Sequence, residues 1–153
     1  MPILALNKKA RYNYEVLETL EAGLVLLGHE VKAIKAGQIN LRGSYISLRP
    51  GVKQLPTAYL VGALVSPYKY AGPLPNYQSD RERKLLLKKS EISRLLGKQQ
   101  EQGLTLLPLK IYTKNGLIKL EIGLAKGKKK YDKREALKRR DIERDVQRSL
   151  KYQ

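Results

Sequence analysis

The chain has 153 residues, and 31 Lys and Arg against 14 Asp and Glu give it a formal charge of +17. With no cysteine and one histidine it excludes disulfides, thiolate or His-rich metal sites and cysteine nucleophiles. Hydrophobic residues at 42% exclude full disorder, and an isoelectric point near 10.1 makes a polyanion the expected partner, nucleic acid ahead of an anionic membrane.

The start, "MPILALNKKARYNY", is too short and too quickly charged for a secretory signal, and no apolar run approaches the ~18 residues of a membrane span. A cytoplasmic protein without membrane contact is expected. Asn7–Arg11 is a basic cluster ahead of the first periodic segment. Within Tyr12–Leu27, Tyr14, Val16, Glu18, Leu20 and Ala22 alternate as in a strand, although Leu17, Leu20, Leu24 and Leu27 also fit a helix face. The Tyr, Val and Thr content and Gly23 favour the strand.

Gly28–Gly37 reads as a short helix bounded by glycines, with Val31 and Ile34 inward. "QINLRGSYISLRPGV" reads as a strand entering a turn at Pro50–Gly51, and Ala58–Val65 as a strand with a continuous apolar run. Ser66–Asp80, with three prolines and three tyrosines, is a loop long enough to suggest function or disorder. Arg83–Leu87 is a brief apolar run.

Ser90 as N-cap, Glu91 in the first turn and Gly103 as the stop delimit a helix with Ile92, Leu95 and Leu96 on its apolar face. Two segments of alternating residues then flank Asn115–Gly116 as a hairpin. Leu107, Leu109 and Ile111 are expected on one side of the first strand; Ile118, Leu120, Ile122 and Leu124 alternate along the second. Short strands with a few helices imply a mainly β fold, a small closed barrel rather than a doubly wound sheet.

From Lys126 onward twelve basic and five acidic residues leave +7, and Met1–Ala125 keeps +10. The expected division is a folded body, 1–125, and a basic tail, 126–153. Ile142, Val146 and Leu150 form a thin i, i+4, i+8 stripe, with i, i+3 and i, i+4 ion pairs worth a few tenths of a kcal/mol each. That suits a segment disordered alone and helical along a phosphate-lined channel; a solvated tail with no specific role is the alternative.

Basic clusters beside tyrosines, at Asn7–Arg11 and Gly127–Tyr131, fit RNA, whose phosphates take the charge while bases stack on the rings. Tyr131 is read as a stacking residue, Tyr45 and Tyr59 as core. Glu21 and Glu30 could accept hydrogen bonds from base amino groups or pair with nearby lysines. His29 reads as a surface or turn residue, since no Ser/His/Asp spacing accompanies it. "GLAKGKKK" lacks phosphate-loop spacing. No catalytic residue, metal site or cofactor is expected.

Taken in order, "ALNKKARYNY", "ETLEAGLVLLGHEVKAIKAG", "NLRGSY", "YLVGALVSPY", "RKLLLKKSEI", "GLTLLPLKIYTKNGLIKLEIGLAKGKKKYDKR" and the basic tail resemble the small protein B (SmpB) family from Ala5 to the C-terminus. The resemblance implies an OB-type β-barrel with flanking helices and a tail disordered in isolation. It also implies a non-enzymatic adaptor that binds the tRNA-like domain of tmRNA and stands in for a missing anticodon arm. Its partners would be tmRNA, the decoding region and mRNA channel of the stalled ribosome's small subunit, and elongation factor Tu acting on aminoacylated tmRNA.

Family RNA contacts map onto Asn7, Glu21, Lys84 and Leu86, and Lys8, Lys9, Arg11 and Lys32 join them as basic candidates. Tail positions map onto Gly127, Lys128, Lys129, Tyr131, Asp132, Lys133 and Arg134, with Lys130 adding charge and Ile142, Val146 and Leu150 the helical stripe. Gly127 is expected to act as a hinge. The chain departs from the family at Tyr12, where many relatives carry His, and at "NYQSD", where they carry Asn-His-Asp-Pro. A ribosomal protein with a basic extension would instead stay in the subunit through high-salt washing; an RNA-modifying or RNA-cleaving enzyme would need a titratable constellation.

Overall fold

The computed structural model describes residues 2–50 and 55–128 together with positions 140, 142 and 144. The elements in order are β1 (Ile3–Leu6), α1 (Lys8–Asn13), β2 (Tyr14–Leu24), α2 (Gly28–Lys35), β3 (Ile39–Asn40) and β4 (Tyr45–Arg49). They continue with β5 (Thr57–Val61), β6 (Leu64–Val65), β7 (Arg83–Leu86), α3 (Lys89–Gln102), β8 (Thr105–Lys114) and β9 (Leu117–Gly127). The mainly β class with flanking helices holds. Seven strands form one antiparallel sheet in the order β1-β8-β9-β2-β7-β5-β4, and β3 pairs with β6. The expected barrel does not close: no ladder joins β4 to β1 among the described residues, although β4 comes up against β8.

The hairpin turns at Asn115 and Gly116 (φ 53° and 78°), the paired left-handed residues whose twist matches antiparallel strands. The inner face of β9, Ile118, Leu120, Ile122 and Leu124, is buried as expected. On β8 the alternation breaks. Pro108 has no N–H for the ladder, and the register with β9 slips between Pro108 and Lys110. Leu106 and Ile111 therefore face the main core, while Leu107 and Leu109 face the opposite side. The same slip occurs in β2 between Val16 and Glu18, so Leu20 and Ala22 point inward while Tyr14 and Val16 point outward.

Those outward residues are covered by α1. Ala10 packs on Leu107, Leu109 and Ala125 in a second, small core. Asn7, just ahead of this helix, is buried. Its Nδ2 donates to the Pro108 carbonyl at 2.9 Å and its backbone N–H to that of Leu109 at 2.8 Å, closing the carbonyls at the bulge.

The run Ala58–Val65 is two strands rather than one. Gly62 (φ 84°) breaks it, a conformation a side chain would strain. The third helix is capped at Lys88, two residues before the expected Ser90, because the Glu91 carboxylate reaches back to the Lys88 N–H at 3.0 Å; it stops at Gly103 as expected. Tyr45, expected in the core, is half exposed (49%), and Tyr59 lies under the Arg49 guanidinium, 4.1 Å from the ring centroid. The last strand runs through Gly127, two residues past the expected body boundary.

Candidate nucleic-acid interface

Cross-strand partners share a face, so the register defines the outer surface of the sheet. One row holds Leu86, Gly23, Lys119 and Tyr112; the next holds Glu21, Glu121 and Lys110. Lys84, two residues before Leu86, emerges on the same face. The expected residues Glu21, Lys84 and Leu86 are thus brought onto one surface. Leu86 is 57% exposed and covers Gly23 so closely that a Cβ there would meet it at 3.3 Å. Leu86 and Leu117 rim a cavity of about 210 Å³ floored by Leu24, Leu26 and Val31.

Charge on this face is sorted. Glu121 lies 3.6 Å from Arg11 and 3.4 Å from Lys110, which ties that carboxylate to the protein. The Tyr112 hydroxyl donates to Glu21 Oε2, and the Lys114 ammonium lies 3.6 Å away. That hydrogen bond, aided by Lys114 and Lys119, holds the Glu21 carboxyl below the ordinary range, while burial and the same carboxylate push the Tyr112 hydroxyl up. Oε1 accepts no hydrogen bond among the described residues. Glu21 therefore meets a lysine, as the ion-pair reading expects, and its carboxylate is oriented and ionised. Tyr112, which sequence reasoning did not single out, fixes that orientation.

The α1 candidates lie at one end of this face. Lys8 and Lys9 are exposed, Arg11 faces Glu121, and Asn7 is turned inward on the bulge. Beside them a cleft of about 400 Å³ is lined by Lys9, Asn13, Tyr14, Arg42 and Tyr45. Lys32 stands apart on α2, its ammonium 5.9 Å from the Tyr68 ring centroid.

Glu30 is not available to RNA. It is fully buried and takes hydrogen bonds from the Leu27 N–H at 2.9 Å, the Tyr77 hydroxyl at 3.0 Å, Arg83 Nη2 at 2.6 Å and the Arg81 guanidinium. Burial alone would raise its pKa; Arg81, the Leu27 N–H and Arg83 outweigh it and hold the carboxyl at about 2. Its partners are arginines rather than the nearby lysines. His29 sits on the first turn of α2, edge-on to Tyr77 at 4.6 Å, with Nδ1 buried and without a hydrogen-bond partner among the described residues. No three His, Cys, Asp or Glu side chains gather in a metal-holding group among the described residues.

At the tail's root, Gly127 pairs with Tyr14 inside the ladder and the Lys128 N–H donates to the Asn13 carbonyl at 3.0 Å. The Lys128 ammonium donates to the Arg11 carbonyl at 3.1 Å. Gly127 is therefore no hinge: the chain is tied down through Lys128. Lys129, Lys130, Tyr131, Asp132, Lys133, Arg134, Val146 and Leu150 lie outside the described residues. Arg140, Ile142 and Arg144 have helical backbone; Ile142 is 62% exposed, and the Arg140 guanidinium lies 5.7 Å from the Tyr12 ring. No described helix is long and apolar enough to cross a membrane.

Residues 4–152 match the model of a family described as SmpB protein. The chain is 52% identical to the SsrA-binding protein of Trichormus variabilis over 145 residues, 95% of this chain and 90% of that protein. It is 48% identical to the SsrA-binding protein of Persephonella marina over 149 residues, 97% and 94% of the two chains. A solved structure described as "tmRNA-SmpB: a journey to the center of the bacterial ribosome" contains a chain 42% identical to this one. The two superpose with a TM-score of 0.65 over 90% of this chain and 95% of that one.

Proposed function

The chain belongs to the SmpB family, and from that premise we propose that it is a non-enzymatic adaptor that binds the tRNA-like domain of tmRNA and seats it on stalled ribosomes. The observation that carries this reading is the outer sheet face, where Glu21, Lys84 and Leu86 come together. Lys84 supplies a cation for phosphate, Leu86 an exposed apolar contact for a base or sugar, and Glu21 an acceptor held in place by Tyr112. Such a set reads shape and base edges together, beyond charge attraction alone.

In this reading the body, which β9 and Lys128 extend three residues past the expected boundary at 125, folds and binds RNA unaided, and the tail beyond it enters the vacant mRNA channel. Lys129, Lys130, Lys133 and Arg134 follow ribosomal RNA, Tyr131 stacks on a base, and Ile142, Val146 and Leu150 line a helix formed there. The adaptor works in the cytoplasm with elongation factor Tu on aminoacylated tmRNA.

The test is sequencing of RNA that co-purifies with the protein, coupled to peptide tagging on ribosomes stalled at the end of a truncated message. Enrichment of tmRNA and restored tagging in an extract depleted of the protein are expected. Stable residence in every small subunit through high-salt washing, without tmRNA, would refute the adaptor reading.

A further inference from the structure

The loop between β6 and β7 carries an aromatic pair that nothing above uses. Tyr68 and Tyr70 meet edge to face, centroids 5.6 Å apart at 70°. Tyr68 packs against the main core, whereas Tyr70 is 76% exposed, the most exposed large apolar side chain described. The Ala71 N–H donates to the Tyr68 carbonyl at 3.1 Å, closing a turn that puts Lys69 and Tyr70 at its tip.

Two ammonium groups flank the pair, Lys32 at 5.9 Å from the Tyr68 ring and Lys69 at 5.5 Å from the Tyr70 ring. Neither has a carboxylate within salt-bridge distance among the described residues.

The base of the loop is held rather than loose. The Val65 N–H donates to the Ser79 carbonyl at 3.0 Å, as does Arg83 Nη2 at 2.9 Å, and the Ser66 N–H donates to the Gln38 carbonyl at 3.2 Å. Tyr77 and Arg81 fasten the same segment to Glu30 on α2. An exposed ring on a fixed turn, next to two uncompensated cations, is suited to a planar anionic ligand: stacking takes the ring and phosphate takes the cations.

We infer that Tyr68, Tyr70, Lys32 and Lys69 form a second RNA-contact site, which stacks one unpaired base on Tyr70 while its phosphates meet the two lysines. It rests on the adaptor reading above and extends that reading to the loop between β6 and β7, whose residues the Glu21–Leu86 set does not include. The base could belong to tmRNA or to ribosomal RNA; the chemistry is the same, and the test separates them.

Full-length wild type, Tyr70→Ala, Tyr70→Phe and Lys69→Ala proteins are titrated against a tRNA-like transcript of tmRNA and, separately, against purified small ribosomal subunits, over a range of salt. Tyr70→Ala should weaken binding to one of these RNAs at least about fivefold, with its salt dependence unchanged, and Tyr70→Phe should bind as wild type does. Lys69→Ala should lower the salt slope by about one on that same RNA. Because Tyr70 is at a solvent-facing tip, Tyr70→Ala should melt as wild type does.

Wild-type affinity of Tyr70→Ala for both RNAs would overturn this inference and leave the adaptor reading standing; so would an equal loss in Tyr70→Phe, or lost tagging with both affinities intact, which would mark a protein contact. Failure of the wild type to bind either RNA would overturn both readings.

Discussion

Replacing Glu30 with Gln keeps the shape of the side chain and removes its charge, leaving Arg81 and the buried Arg83 without a counter-ion. The carboxyl sits at about 2 instead of 4.5. At about 1.4 kcal/mol per pH unit, the charged form contributes roughly 3 kcal/mol at neutral pH, close to the lower end of the about 3–5 kcal/mol typical of breaking a buried pair. The direction follows from the depressed folded value: this stability is fully present above about pH 4.5 and is lost as pH falls toward 2. At pH 3 about 1 kcal/mol remains. Urea unfolding followed by circular dichroism should therefore find Glu30→Gln about 3 kcal/mol less stable than wild type at pH 7, with the gap narrowing by about 2 kcal/mol at pH 3. A gap of equal size at both pH values, or no gap, would refute the assignment of Glu30 as the ionised anchor of the loop between β6 and β7.

Asn7→Ala strips the Pro108 carbonyl of its donor at the bulge and should cost about 1–3 kcal/mol in urea unfolding, with any RNA defect no larger than the stability loss explains. Lys84→Ala should flatten the salt dependence of binding to the tRNA-like RNA by roughly one counter-ion, read by filter binding between low and physiological salt. Glu21→Ala should weaken that binding about tenfold although it removes a negative charge; unchanged or tighter binding would leave Glu21 as a partner of Tyr112 and Lys114 alone. Val146→Pro should leave RNA affinity intact and abolish tagging on stalled ribosomes, since proline inside a helix costs about 3 kcal/mol, and full tagging would rule out the helix in the channel.

What the sequence discloses is local periodicity and its punctuation. The hairpin was legible because alternating strands flank Asn115–Gly116, and α2 because glycines bound an apolar pair. The first strand and α1 were not. Ile3–Leu6 becomes a strand only by pairing with β8 more than 100 residues away, and α1 buries a single residue, Ala10, so neither shows a period. The inverted alternation of β8 did leave a mark, Pro108 in mid-strand, whose missing N–H implies a bulge.

Likewise Glu30 could be seen beside lysines but not beside Arg81 and Arg83, some fifty residues on. The Glu21–Leu86 surface was reached through family likeness; its chemistry, the Tyr112 clamp above all, needed the register of four strands.

The final strand of the sheet spans eleven residues from Leu117, at the rim shared with Leu86, to Gly127, where the ladder with β2 ends. At about 3.3 Å per residue that is a stiff rod of roughly 33 Å. Because Lys128 is still bonded to Asn13, the chain is anchored up to the residue where the tail begins. On the proposed reading, β9 is then a spacer gauge. It sets how far the docked RNA lies from the channel mouth, independently of affinity at either end. Removing one two-residue repeat from each strand of the hairpin would keep every side chain on its face yet shorten the gauge by about 7 Å. Such a protein could hold its RNA normally and still deliver it out of reach.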